Sequence, residues 1–150
     1  MVRELADYEQ ALHEAKATVE QFHAALFGTQ PAVFALVAES GGSVAGFALY
    51  FLNFSTWLGE HGIYLEDLYV RPQYRGTGIG KALLATLAQT CVDRGYGRLE
   101  WWVLDWNEPA LEFYRGVGAQ PMDEWTVQRI TGPDLVSLAA HAPAPPASGA

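Results

Sequence analysis

The chain has 150 residues, 50% of them apolar, with 17 acidic against 9 basic side chains and a formal charge of -8. This length fits about one domain, and so apolar a chain, with only 17% charged residues, excludes disorder of the whole. The net acidity disfavours nucleic acid, whose phosphates draw on a basic face, and favours small cationic partners.

Residues 4–26 carry apolar side chains at helical spacing (Leu5, Tyr8, Leu12, Ala15, Val19, Phe22, Leu26) with acids between them, which predicts one or two amphipathic helices. The β-rich run 33–39, a turn at Gly41-Gly42 and the apolar run 43–52 predict a hairpin. A polar and aromatic loop is expected over 53–62, with Trp57, Glu60 and His61, before a strand at 63–70 that Pro72 stops. Ile79, Leu83, Leu87 and Cys91 recur every fourth residue, Gly95 supplies a helix stop, and 99–104 reads as a strand. Strand, helix, strand over this length implies a parallel pair. Asn107 caps a further helix with Pro109 in its first turn, and 125–130 is expected to form a last strand. The end, 141–150, has three prolines and no large apolar residue. It is expected to be a disordered tail behind a domain at 1–140.

No run approaches the roughly 18 apolar residues that span a bilayer. The acidic start, from Met1 to Glu9, lacks the basic-then-apolar order of a signal peptide, so the expectation is a cytoplasmic protein with no membrane partner. Cys91 is the single cysteine, has no internal disulfide partner, and sits in an apolar periodic stretch where a buried inert thiol is the ordinary reading. His13, His23, His61 and His141 are scattered without a ligand framework, so no metal is expected.

The connection 71–81, RPQYRGTGIGK, follows a strand and opens a helix. There free backbone N–H groups and the helix dipole favour an anion, and glycine lets a phosphate approach the main chain. Arg71, Arg75 and Lys81 place three of nine basic residues within this segment, a local anion site in an acidic protein. Neither a P-loop nor a Rossmann fingerprint is present.

Arg75-x-x-Gly78-x-Gly80, after a strand ending Leu68-Tyr69-Val70, resembles the acetyl-CoA pyrophosphate motif of the GNAT acyltransferase superfamily, and Asn107 with Glu112-Phe113-Tyr114-Arg115 resembles its second motif. More narrowly, Tyr64-Leu65-Glu66-Asp67, the 74–80 segment and Trp106-Asn107-Glu108-Pro109 are similar to spermidine/spermine (diamine) acetyltransferases. The resemblance implies an α/β (α+β) fold, a mixed central sheet flanked by helices. It also implies that the chain starts inside the family's first helix, without the usual first strand. The exposed sheet edge this leaves, with family habit, makes a homodimer the expected assembly.

The same resemblance implies direct acetyl transfer from acetyl-CoA to an amine. Leu68, Tyr69 and Val70 would carry the pantetheine, a backbone N–H there would polarise the thioester carbonyl, and Arg75, Gly76, Thr77, Gly78, Ile79, Gly80 and Lys81 would hold the pyrophosphate. Asn107 and Ala110 would contact the CoA arm, and Tyr114 would protonate the departing sulfur as general acid. An attacking amine must shed a proton near pH 7, and Glu66 is the candidate base, through water. Asp67, adjacent on a strand, is expected on the opposite face unless a bulge intervenes, and is assigned to cation binding or structure. Trp57, Trp102 and Trp125, with Glu100, Asp123 and Glu124, could wall an amine channel, although core packing explains each tryptophan equally well. The leading substrate is a diamine, polyamine or basic amino-acid analogue. Alternatives are a protein lysine or N-terminal acetyltransferase and, in another class, an acyl-CoA-binding module without turnover.

Overall fold

The computed structural model describes residues 1–143. By contact density the chain divides into two compact units, Met1–Val117 and the part from Gly118 onward. The first opens with α1 (Val2–Tyr8), a 3-10 turn (Leu12–Glu14) and α2 (Val19–Phe27). Thr18 starts α2 with a reciprocal capping box to Gln21. The strands β1 (Phe34–Ser40), β2 (Ser43–Ser55), β3 (Glu60–Val70) and β4 (Leu99–Glu100) form one sheet in the order β1-β2-β3-β4. The first two pairings are antiparallel and β3–β4 is parallel. The parallel pair needs a crossover, and α3 (Ile79–Arg94) supplies it before α4 (Glu108–Gly116) closes the unit.

Alternation along β2 divides the core. Ala48 packs with Leu65, Leu83, Leu84 and Leu87 on the α3 side, while Phe47 and Leu49 pack with Tyr69 and with Leu5 of α1 on the other. Leu87 is wholly buried, and a leucine so placed contributes about 1.5–3 kcal/mol. The β2–β3 register pairs Leu49 with Asp67 and Tyr50 with Leu65, leaving Glu66 as an extra residue. This bulge exchanges the faces of the strand. Leu65 lies on the α3 side and Tyr69, which unbroken alternation would keep there, lies on the α1 side.

Three expectations need correction. The predicted loop at 53–62 is mostly hairpin, because β2 runs to Ser55 and β3 begins at Glu60. The strand predicted at 99–104 pairs with β3 only through Leu99 and Glu100, opposite Ile63 and Tyr64; the chain leaves the ladder before the bulge at Glu66. The segment 125–130 is exposed and irregular rather than a strand, since β-forming composition yields a strand only where a neighbour supplies the ladder. The second unit instead contains α5 (Gly132–Ala139), with Pro133 in its first turn. Of the expected tail, 144–150 lies outside the described residues.

Candidate active site

Divergence of residues 101–104 from β3 opens a cleft of about 480 Å³ in the first unit. One wall is β3 from Leu65 to Val70, the other Trp101 to Leu104, and α1 contributes Leu5, Tyr8 and Glu9. Where β4 has left, no strand among the described residues pairs with the facing edge of β3, and an extended ligand could bond its backbone there.

At one end of the cleft stand Arg75, Gly76, Gly78, Ile79, Gly80 and Lys81. Gly76 and Gly78 have φ of 76° and 89°, a region that favours glycine, and Gly78 is the N-cap of α3. A Cβ at either would meet nothing within 4 Å, so space beside the loop is open to a ligand. Arg75 Nε donates to the Val70 carbonyl at 2.9 Å, and its guanidinium carbon lies 4.8 Å from the centre of the Tyr8 ring. Lys81 makes no ion pair among the described residues. Glycines, helix start and two cations together fit a pyrophosphate.

Arg71, grouped by sequence with these cations, is committed elsewhere. Its Nε and Nη2 donate to the two carboxylate oxygens of Glu4 at 3.0 and 2.9 Å, and Nη1 donates to the Val44 carbonyl. The bidentate bond holds Glu4 below its ordinary pKa and fastens α1 to the end of β3. Thr77 also falls outside the cleft wall: its hydroxyl donates to the Tyr74 carbonyl at 2.7 Å, closing the loop.

Glu66 and Asp67 both line the cleft, an outcome of the bulge that simple strand alternation would forbid. Asp67 is the deeper; burial, then the charges of Glu66 and Glu9, raises its pKa to about 6. Glu66 is exposed. Tyr114 reaches the cleft from α4, its ring centre 4.9 Å from that of Trp101, and burial followed by the Glu9 charge raises its pKa to about 12. Leu68, Tyr69 and Val70 lie along the same wall, and Ala110 lines the cleft with Asn107. Asn107 is buried, and its Oδ1 accepts from Ala110 N at 3.4 Å and from the Tyr8 hydroxyl at 2.9 Å. That oxygen is occupied as the cap of α4.

Of the residues predicted to wall an amine channel, those of the first unit are only partly brought together. Trp102 lines the cleft, edge-on to Tyr64. Trp57 does not, because the extended hairpin carries it to the turn at the opposite end of β3 from Val70, where it is 87% exposed. Glu100 accepts from Asn53 Nδ2 at 2.7 Å and pairs with Arg98 at 2.9 Å, so it serves the sheet. Asp123, Glu124 and Trp125 belong to the second unit and are exposed. Sequence reasoning missed Tyr8, Glu9 and Trp101. The first two looked like an apolar position and a solvated acid on an amphipathic helix, and only the packing of α1 beside β3 reveals them.

A sheet parted beside a bulge, with a glycine-rich loop and two cations at one end of the gap and carboxylates in its wall, is the arrangement of a class of acyl-transfer enzymes. The family model described as Acetyltransferase (GNAT) family matches residues 1–119, and the chain belongs to that family, as an acetyl-CoA-dependent N-acetyltransferase. A thialysine N-epsilon-acetyltransferase of Bos taurus is 39% identical over 150 residues, covering 93% of this chain and 88% of its own. Spermidine/spermine N(1)-acetyltransferase-like protein 1 of Homo sapiens is 30% identical over 93% of this chain and 21% of its own length. Among solved structures, an integron cassette protein from V. cholerae is 29% identical, with a TM-score of 0.76 over 91% of this chain and 85% of that one. These relatives agree with the narrower likeness to spermidine/spermine acetyltransferases carried by the sequence motifs. No helix among the described residues is long and apolar enough to cross a membrane.

Proposed function

We propose that this chain transfers acetyl to a primary amine of a small cationic molecule: a diamine, a polyamine or a basic amino-acid analogue. The observation that carries this reading is the polarity of the cleft, with Arg75 and Lys81 at the cofactor end and Glu9, Glu66 and Asp67 as its only acidic lining among the described residues. An ammonium group is drawn to such a carboxylate group, and the Trp102 face adds attraction for a cation. The names of the relatives support this reading: one is a thialysine N-epsilon-acetyltransferase, another is named as like a spermidine/spermine N(1)-acetyltransferase.

Acetyl-CoA supplies an acetyl carbon activated as a thioester; the amine nitrogen bonds to it as the carbon–sulfur bond breaks and sulfur keeps the electron pair. The cofactor's pyrophosphate is assigned to Arg75, the loop N–H groups and Lys81, its arm to Leu68–Val70 with Ala110 and Asn107. The backbone N–H groups on the open edge of β3 are assigned to polarising the acetyl carbonyl. Glu66 takes the proton shed by the amine, through water. Asp67 is the second reading for this base, favoured by its deeper position and by a pKa raised from the ordinary carboxylate range to about 6, within reach of neutrality where a general base works best. Tyr114 keeps its proton throughout the working pH range and donates toward sulfur. A free thiol has a pKa of about 8.5, so complete transfer from this phenol is uphill and the hydroxyl contributes mainly as a hydrogen bond while charge develops. On the family resemblance the expected setting is a cytoplasmic homodimer, with neither nucleic acid nor membrane as partner.

Release of free thiol from acetyl-CoA with putrescine, spermidine, lysine analogues and aminoglycosides tests the reading. Turnover with a diamine or basic amino-acid analogue is the expected result. Acetyl-CoA binding without turnover on any amine would point to a binding module, and turnover only on peptides to a protein acetyltransferase.

A further inference from the structure

Tyr8 ends α1, yet it connects groups far apart in sequence. Its hydroxyl donates to Asn107 Oδ1 at 2.9 Å across 99 positions, and the Arg75 guanidinium carbon sits 4.8 Å from its ring centre. Tyr69 stands near the same guanidinium at 5.7 Å. With Nε held by the Val70 carbonyl and its charge drawn to two aromatic faces, the Arg75 fork keeps few rotamers. Its terminal N–H groups have no partner among the described residues and remain available to an anion. Asn107 in turn caps α4, the helix that carries Tyr114.

We propose that Tyr8 is a positioning residue for the acyl-donor side of the cleft, its ring setting Arg75 for the anionic part of the cofactor and its hydroxyl setting Asn107 and the start of α4. This rests on reading the cleft as an acetyl-CoA site. Such a role would couple α1 to the loop end of the cleft: α1, fastened by Glu4 to Arg71, carries Tyr8 to both Arg75 and Asn107. Ring and hydroxyl have separable effects, because a phenylalanine retains the aromatic face and lacks only the donor.

The test is a pair of double-mutant cycles in the full chain, read as acetyl-CoA Kd by calorimetry and as kcat. Tyr8→Leu is expected to weaken acetyl-CoA binding about fivefold, and Tyr8→Leu with Arg75→Ala to bind within about twofold of Arg75→Ala alone. Tyr8→Phe is expected to leave Kd within about twofold and lower kcat several-fold, and to add little further loss in an Asn107→Ala background. Additive losses in both cycles, or an unchanged Kd for Tyr8→Leu, overturn the proposal. If Tyr8→Leu does not fold, the Tyr8→Phe and Asn107→Ala cycle decides by the same criterion. Absence of acetyl-CoA binding by the unmodified chain would overturn the reading of the site, and the role of Tyr8 with it. Clear binding with additive cycles would overturn the role of Tyr8 alone.

Discussion

Tyr114 and Asp67 differ from ordinary residues of their types for the same reason, loss of water around the charged form, and the consequences are opposite in use. Tyr114 keeps its proton. Its replacement by phenylalanine is expected to lower kcat by about 10²-fold or more while acetyl-CoA Kd stays nearly constant; steady-state kinetics beside calorimetry checks this. Asp67 has a folded pKa of about 6 against an ordinary 3.8, so between these values the unfolded chain binds fewer protons. Its contribution to stability is most favourable below about pH 4 and is lost as pH rises through 6. Asp67→Asn should therefore stabilise the protein above pH 6, on the order of 1–2 kcal/mol after allowing for solvent screening, and the gain should vanish toward pH 4 in thermal melts. The two readings of the base separate in the pH profile of kcat/KM. If Asp67 accepts the proton, Asp67→Asn removes the acidic limb near 6 and Glu66→Gln leaves it; a limb that survives in Asp67→Asn, with turnover lost in Glu66→Gln, assigns the role to Glu66 instead.

Two elements create the site by stopping short of regularity. β3 takes in an extra residue at Glu66, and β4 ends after Glu100, so the strands separate where the cleft lies. The predicted strand at 99–104 had the composition for pairing, but its neighbour turns away at the bulge, and no local signal in LEWWVL reports this. The start of α3 was more legible, since glycines beside cations after a strand carry their geometry in their chemistry. Gly78→Ala tests that element: its Cβ meets no atom within 4 Å, but φ of 89° must be held or abandoned. A left-handed alanine costs about 1–2 kcal/mol, so the loop is expected to relax, weakening acetyl-CoA binding with a small fall in the thermal midpoint.

Across the whole molecule, the charge of -8 acts through its distribution. The cations facing the cleft are at one end, and carboxylates from α1 and β3 stand in the rest of its wall. For a dicationic amine, KM is expected to rise with ionic strength as salt screens this field over a Debye length of about 10 Å at 0.1 M; a neutral-tailed monoamine should show a weaker dependence. Steady-state kinetics in a salt series checks it. The sequence by itself determined the family, the hairpin, α3, α4 and the glycine-rich loop before α3, because periodicity, caps and glycine–cation spacing are local properties. It also singled out Glu66, Asp67 and Tyr114, through motifs rather than through their surroundings. Tertiary structure alone decided that Glu66 and Asp67 share the cleft, that Arg71 braces α1, that Trp57 lies away, and that Tyr8 and Glu9 enter the site. Each of these depends on a bulge, a register or the packing of a distant helix, and the free energy of burying or pairing a side chain is set by neighbours that adjacent sequence does not specify.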